Sequence, residues 1–110
     1  MTTAPRTAAP RAAPVEESSP ALEQTYHLVL LDDDQHTYAY VIEMLGAIFG
    51  YGAEKAYALA TVVDTAGRAI IETAGLETVT DHQRAVHGFG ADQRIPTSKG
   101  SMSATIEEAA

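Results

Sequence analysis

A short apolar run that stops at three carboxylates is the clearest feature of the hydrophobic and polar pattern. Leu28 to Leu31 is continuous and aliphatic, and turn-forming residues follow it, which is typical of a buried strand. Asp32 to Asp34 come next, and Thr37 or Asp34 can cap a helix. Apolar residues then recur at the spacing of one helical face, namely at Tyr38, Val41, Leu45 and Ile48. The pattern therefore predicts a strand, an acidic turn, and a helix over residues 38–49 that ends before Gly50.

The rest of the chain predicts two more helices and two more strands. A second helix is expected from Ala53 to Asp64, with Gly67 closing it, and a short strand over residues 68–73. A third helix follows over residues 73–87, and alternation over residues 101–107 indicates a half-buried strand. The order βααβαβ predicts an α+β fold, in which a small three-stranded antiparallel sheet packs against three helices.

Composition divides the chain into a leader and one domain. Four of the five prolines lie in the first 25 residues, which are rich in Ala and Thr and lack a periodic apolar pattern. Such a segment buries too little surface to offset its ordering entropy. We therefore expect residues 1–25 to be a flexible, disordered extension and residues 26–110 to be the folded domain.

Charge and cysteine content exclude several classes of function. The 110 residues carry 15 Asp and Glu against 7 Lys and Arg, a net charge of −8, and no cysteine. Thiolate metal sites and thiol nucleophiles are thus excluded, and neither nucleic acid nor an anionic membrane is expected as the main partner. No apolar stretch is long enough to span a bilayer, so a cytoplasmic location is the default. Nothing in the sequence indicates an enzyme, a cofactor or an obligate oligomer, and we expect a monomer.

The acidic turn is predicted to meet a fourth carboxylate. Two helices of nearly equal length, joined by a short glycine link, favour an antiparallel pair, which brings Asp64 beside Asp32 to Asp34. A carboxylate at a helix C-terminus opposes the helix dipole, so a positive group nearby would relieve the repulsion. A metal ion, a Lys or Arg of this chain, and a ligand ammonium group are the candidates. The alternative is that the aspartates only solubilise a turn and cap a helix.

Several apolar side chains should converge near these carboxylates. They are Tyr38, Val41, Ala60, Val63 and Met102. Ordinary core packing accounts for such positions in most proteins. An apolar pocket with acidic residues at its mouth would instead suit the first residue of a peptide, whose α-ammonium lies beside its side chain. His36 adjoins the acidic turn and is the one histidine considered for a role, with a solvated loop position as the alternative.

These residues resemble the ClpS family, the adaptors of bacterial Clp proteases. The resemblance covers residues 26–107 and is strongest from Tyr26 to Asp34, where an aliphatic strand leads into an acidic turn, and from Tyr40 to Leu45 and at Phe49. Further similarity lies at Glu54 to Ala56, Gly67 to Ala69, Glu77, and Thr105 to Glu107.

The resemblance implies a non-enzymatic adaptor for N-degrons, which are proteins recognised by a destabilising first residue such as Phe, Tyr, Trp or Leu. Such adaptors deliver substrates to the unfoldase ClpA or ClpC, which works with the ClpP peptidase. By position, Asp32, Asp33 and Asp64 would lie near the α-amine. The remaining pocket positions would be Asp34, His36, Tyr38, Val41, Ala60, Val63 and Met102. Glu77 and His82 would occupy positions that dock the unfoldase.

Some residues depart from the family pattern. Asp32 stands where the family has Asn, Asp64 where it usually has His, and His82 where a lysine is usual. Ala60 enlarges the pocket relative to the family's methionine, whereas Tyr38 fills it. These two changes oppose each other and leave the pocket size open, with a lean toward aromatic first residues over leucine.

The sequence is compatible with two other functions. One is a protein-interaction domain that does not read N-termini, because the arrangement also resembles the C-terminal domain of the ribosomal stalk protein L7/L12. The other is a divalent-metal site at Asp32, Asp34 and Asp64.

Overall fold

The computed structural model describes residues 24–109, which hold three strands and three helices. The elements are β1 (Tyr26–Leu31), α1 (Tyr38–Phe49), α2 (Ala53–Ala66), β2 (Arg68–Ala74), α3 (Leu76–His87) and β3 (Ala104–Glu108). The predicted extension over residues 1–25 lies almost entirely outside the described residues. Its last two residues are described, and Thr25 accepts a hydrogen bond from the backbone of Ala109 over 3.0 Å.

The three strands form one antiparallel sheet in the order β2-β1-β3, so the α+β prediction is confirmed. β1 is the central strand, with Leu30 opposite Ala69 on one side and Ala104 on the other. A bulge between Leu28 and Val29 shifts the register against β2. The central position explains why the predicted apolar run is continuous, because both edges of β1 and much of both its faces are covered.

The core forms where the helices pack against the sheet. Leu28 and Leu30 of β1, Met44 and Leu45 of α1, and Val79 and Val86 of α3 are all fully buried members of it. α2 contributes smaller side chains, namely Ala56, Ala60 and Val63. The C-terminal half of α2 lies beside the start of α1, where Asp64 accepts a hydrogen bond from the Tyr38 hydroxyl.

Local signals set the ends of α1 and α2. The Thr37 side chain accepts a hydrogen bond from the backbone N–H of Tyr40, and Gly50 closes α1 with φ of 73°. α2 runs two residues beyond the predicted end and stops at Gly67, where φ is 86°. These left-handed conformations suit glycine because it has no Cβ.

Two predicted element starts are wrong. α3 begins at Leu76, not at residue 73, because β2 continues through Ala74, which pairs with Tyr26. β3 begins at Ala104, not at residue 101, although Met102 is buried as its alternation predicts. Within residues 24–109, no helix combines the length and the hydropathy needed to cross a membrane.

Candidate functional site

A cavity opens where β1 ends, α1 begins and α2 approaches its C-terminus. Ten residues line this cavity, and nine of them are site residues that the sequence predicts. Eight of the nine lie between the end of β1 and the end of α2, and the ninth is Met102, just before β3. The lining residues are Asp32, Asp33, His36, Thr37, Tyr38, Val41, Ala60, Val63, Asp64 and Met102. The structure thus brings the acidic turn and the carboxylate of α2 to one cavity.

The floor of the cavity is part of the hydrophobic core. Val41, Ala60, Val63 and Met102 are each at most 5% exposed and belong to the core cluster. Ala60, Val63 and Asp64 share one face of α2 because residues three and four apart are neighbours on a helix. The same helix, α2, therefore supplies both buried apolar residues and a carboxylate to the cavity.

The rim of the cavity is acidic. Asp32, Asp33 and Asp64 line it and are exposed to solvent. Asp34, the third residue of the turn, does not line the cavity; its carboxylate accepts a hydrogen bond from the Gln35 side chain over 3.0 Å. Consecutive side chains diverge, so only part of the turn can face one ligand.

Tyr38 bridges the start of α1 and the end of α2. Its hydroxyl donates a hydrogen bond to Asp64 Oδ2 over 2.7 Å, and its ring lies 5.6 Å from the ring of Tyr57. The hydrogen bond to Asp64 is the main reason that the pKa of Tyr38 lies above its ordinary value. The phenol therefore stays neutral and stands as one wall of the cavity.

His36 links the acidic turn to the loop before β3. Its Nδ1 atom lies 2.8 Å from Asp33 Oδ1, and its Nε2 atom lies 2.7 Å from the carbonyl oxygen of Gly100. These two contacts join the acidic turn to the loop before β3 through one imidazole ring. The His36 side chain is 3% exposed, which makes it a packed element of the cavity wall and not a solvated loop residue.

Asp92 supports the cavity from behind, and sequence reasoning missed it. It is the one buried charged residue of the described chain, at 1% exposure. The backbone N–H and the hydroxyl of Thr37 donate to its Oδ2 over 2.7 and 2.8 Å, and Arg94 donates to its Oδ1 through backbone and side chain. Burial alone would raise the pKa of Asp92, but these hydrogen bonds outweigh it and hold the pKa well below its usual range.

The sequence predicts Thr37 only as a helix cap, and in the structure this residue also lines the cavity. The one available signal for Asp92 was the spacing to Arg94, because an aspartate often accepts from the backbone two residues on. That signal predicts a turn and does not predict burial.

Comparison with known proteins decides the family. The model of the family described as ATP-dependent Clp protease adaptor protein ClpS matches residues 21–97, well over half of the chain. The chain belongs to the ClpS family. ClpS proteins are adaptors of the Clp protease and not catalysts, so the chain is an adaptor at the level of its family. No curated protein sequence matches it.

A solved structure supports the ClpS fold. The chain is similar to Agrobacterium tumefaciens ClpS2 bound to L-phenylalaninamide, with 17% sequence identity and a TM-score of 0.67. The similarity covers 78% of this chain and 98% of that one. At this identity the similarity establishes the fold.

The two positions suggested for unfoldase docking lie on α3, away from the cavity lining. Glu77 is exposed in the first turn of the helix. His82 is partly buried, with Nδ1 2.8 Å from the Glu72 carboxylate and its ring 4.8 Å from the ring of Phe49. His82 therefore has a structural partner on β2.

No group of three His, Asp or Glu side chains suited to a metal ion occurs within residues 24–109. The metal alternative at Asp32, Asp34 and Asp64 thus has no donor cluster in this part of the chain, and Asp34 lies apart from the other two at the cavity.

Proposed function

We propose that this ClpS-family protein binds N-degrons by their free α-amine and their bulky hydrophobic first side chain, and delivers them to a Clp AAA+ protease. The observation that carries the proposal is one cavity with a buried apolar floor and three carboxylates at its rim. A peptide N-terminus carries a positive charge one bond away from the carbon that bears its side chain, which matches this arrangement.

The carboxylates have different roles in the proposal. Asp33 is already engaged by His36 and by the backbone N–H of Gln35, so it mainly holds the turn in place. Asp32 and Asp64 then supply the direct acceptors for the ammonium group. Asp64 accepts Tyr38 on Oδ2, and its second oxygen remains for the amine because a carboxylate has about four acceptor sites.

Charge strengthens this site relative to the pattern of the family. Asp32 and Asp64 replace a neutral Asn and a His, and a hydrogen bond to a charged group contributes about 1.5–3 kcal/mol against roughly 1 for a neutral pair. Desolvation of the carboxylates offsets part of this gain. The solved ClpS2 structure with L-phenylalaninamide supports the choice of ligand class, since that ligand has a free amine and an apolar side chain.

The substrates in this proposal begin with Phe, Tyr, Trp or Leu, and the partner is the unfoldase ClpA or ClpC with ClpP. Glu77 is available for docking because it is exposed on α3. The engagement of His82 with Glu72 makes Glu77 the better candidate of the two positions.

The test is binding of fluorescent peptides measured by anisotropy. Peptides that begin with Leu or Phe should bind with a Kd of roughly micromolar or tighter, and their N-acetylated forms should not bind. Asp32→Ala and Asp64→Ala should each weaken binding more than tenfold, whereas Asp34→Ala, which removes a carboxylate of the same turn outside the cavity, should have a small effect. Equal binding of free and acetylated peptides would contradict the proposal.

A further inference from the structure

The loop between α3 and β3, residues 88–103, contacts the segment that joins the acidic turn to α1. The Thr97 hydroxyl donates a hydrogen bond to the Gln35 side chain over 2.8 Å. The His36 Nε2 atom lies 2.7 Å from the carbonyl oxygen of Gly100. Successive residues of the segment are therefore attached to one loop, although that loop is more than fifty residues away along the chain.

Asp92 is the buried part of this connection. Its Oδ2 atom accepts from the backbone N–H and from the hydroxyl of Thr37, over 2.7 and 2.8 Å. Arg94 donates to Oδ1 over 3.0 Å from its backbone and 3.1 Å from its side chain, and the same guanidinium donates to Glu43 of α1 over 2.5 Å. Because a carboxylate has about four acceptor sites, these four donors fill Asp92.

Asp92 acts on the cavity only through its neighbours. It is not among the residues that line the cavity, whereas Thr37 and its two neighbours in the chain, His36 and Tyr38, are. At 1% exposure, the Asp92 carboxylate cannot reach a ligand. Any displacement of Thr37 would remove two donors from a buried charge, which is costly. The carboxylate therefore holds Thr37, and with it this side of the cavity, at one position.

We infer that Asp92 is a positioning residue for the amine site, because it fixes the segment that carries the acidic turn. The inference rests on the proposed function. Asp32 lies on this segment and Asp64 lies on α2, so both reach one α-amine only while the segment stays in place. Hydrogen bonds weaken steeply with misalignment. Without Asp92 the segment would sample other positions, and the apparent affinity would fall with the fraction of chains in the binding geometry.

The experiment compares Asp92→Asn with Met44→Ala. Met44 is fully buried in α1 and does not line the cavity, so its replacement lowers stability but leaves the Thr37 contacts in place. Anisotropy titrations give each chain's affinity for a Leu-initiated peptide and for its N-acetylated form. A smaller folded fraction weakens both affinities equally, whereas displacement of the turn weakens only the binding that depends on the amine. The ratio of free to acetylated affinity should fall about tenfold or more in Asp92→Asn and stay within about twofold of the wild type in Met44→Ala.

A second measurement uses the wild-type chain and does not depend on the folding of a variant. The Arg94 backbone N–H donates to Asp92 and lies outside the cavity lining. If Asp92 and the amine require the same geometry, the opening that frees this N–H also abolishes binding. Free Leu peptide at about 100 times its Kd should then slow hydrogen exchange of the Arg94 amide by about tenfold or more. The amide of Gln83 on α3 is the control and should slow less.

The outcomes separate the inference from the proposed function. An unchanged affinity ratio in Asp92→Asn overturns the inference, as does an Arg94 amide that slows no more than the Gln83 amide. An equal fall of the ratio in Met44→Ala also overturns it, because the effect would then follow stability alone. If the wild type binds free and acetylated peptides equally, the proposed function itself fails. If the wild type requires a free amine and Asp92→Asn retains that requirement in full, only the role of Asp92 fails.

Discussion

Replacing Asp92 with asparagine is expected to destabilise the protein strongly. Four donors from Thr37 and Arg94 converge on the two oxygens of this carboxylate, two on each oxygen. The amide nitrogen of asparagine takes the place of one oxygen, so two donors lose their acceptor whichever way the amide turns.

The magnitude follows from these contacts. At about 1.5–3 kcal/mol for each hydrogen bond to a charged group, the loss is about 3–6 kcal/mol. Asparagine is neutral, so the variant no longer carries the desolvation cost of a buried charge, which offsets part of the lost hydrogen-bond energy. The net destabilisation is then about 2–4 kcal/mol. A domain of this size has a free energy of unfolding of about 4–13 kcal/mol, so the variant loses a large fraction of its stability.

The pH dependence provides a separate signature. The pKa of Asp92 lies well below its usual range in the folded state, so the stabilisation is complete above the unfolded-state pKa of about 3.9 and is lost as the pH falls toward the folded-state pKa. In that interval this one group lowers the free energy of unfolding by up to about 1.4 kcal/mol per pH unit. Asp92→Asn should lack this component of the slope.

Urea unfolding followed by circular dichroism at pH 7, 5, 4 and 3 measures both effects. Asp81→Asn is the matched control, because Asp81 is an exposed carboxylate with a 3.7 Å contact to Arg84, and its stability change should stay within about 0.5 kcal/mol. The reasoning is refuted if Asp92→Asn changes the free energy of unfolding by no more than about 0.5 kcal/mol at pH 7. It is also refuted if the free energy of unfolding of this variant falls as steeply between pH 4 and pH 3 as that of the wild type.

Three further predictions concern the core, a turn and the partner surface. Met44→Ala should lower the free energy of unfolding by about 2–5 kcal/mol, because Met44 is fully buried; a change below 1 kcal/mol in urea titration would argue against this placement. Gly67→Ala should cost about 1–2 kcal/mol because φ is 86° there, and an unchanged Tm would contradict it. Glu77→Lys should slow degradation of an N-degron substrate by the Clp unfoldase and peptidase while leaving peptide affinity unchanged. If the degradation rate and the peptide affinity both fall, or if neither changes, Glu77 is excluded as a docking residue.

Local signals made much of the fold predictable. The bounds of α1 follow from the cap at Thr37 and the glycine at position 50, both of which act within a few residues of the helix. The sequence pattern predicts starts of α3 and β3 that are too early, because the true starts depend on pairing between distant segments, such as Ala74 with Tyr26. Periodicity alone carries no information about such pairing.

The part of the cavity that depends on helix lengths and residue spacing can be predicted from the sequence. Equal helix lengths were enough to place Asp64 of α2 near the acidic turn, and both line the cavity. The contacts of Asp92 were not predictable, because a single aspartate in a loop rich in glycine is usually exposed and its four donors come from two separate segments. The hydrogen bond between Tyr38 and Asp64 likewise depends on the detailed approach of two helices.

The central claim is that carboxylates at the rim of an apolar cavity hold a free α-amine, and the ratio of two affinities tests it most directly. A Leu-initiated peptide and its N-acetylated form are titrated against the wild-type protein and against Asp64→Asn. Two charge-assisted hydrogen bonds contribute about 3–6 kcal/mol, so the wild type should bind the free peptide at least about a hundredfold more tightly. Asp64→Asn should reduce this ratio by about tenfold or more. A wild-type ratio near one would contradict the account.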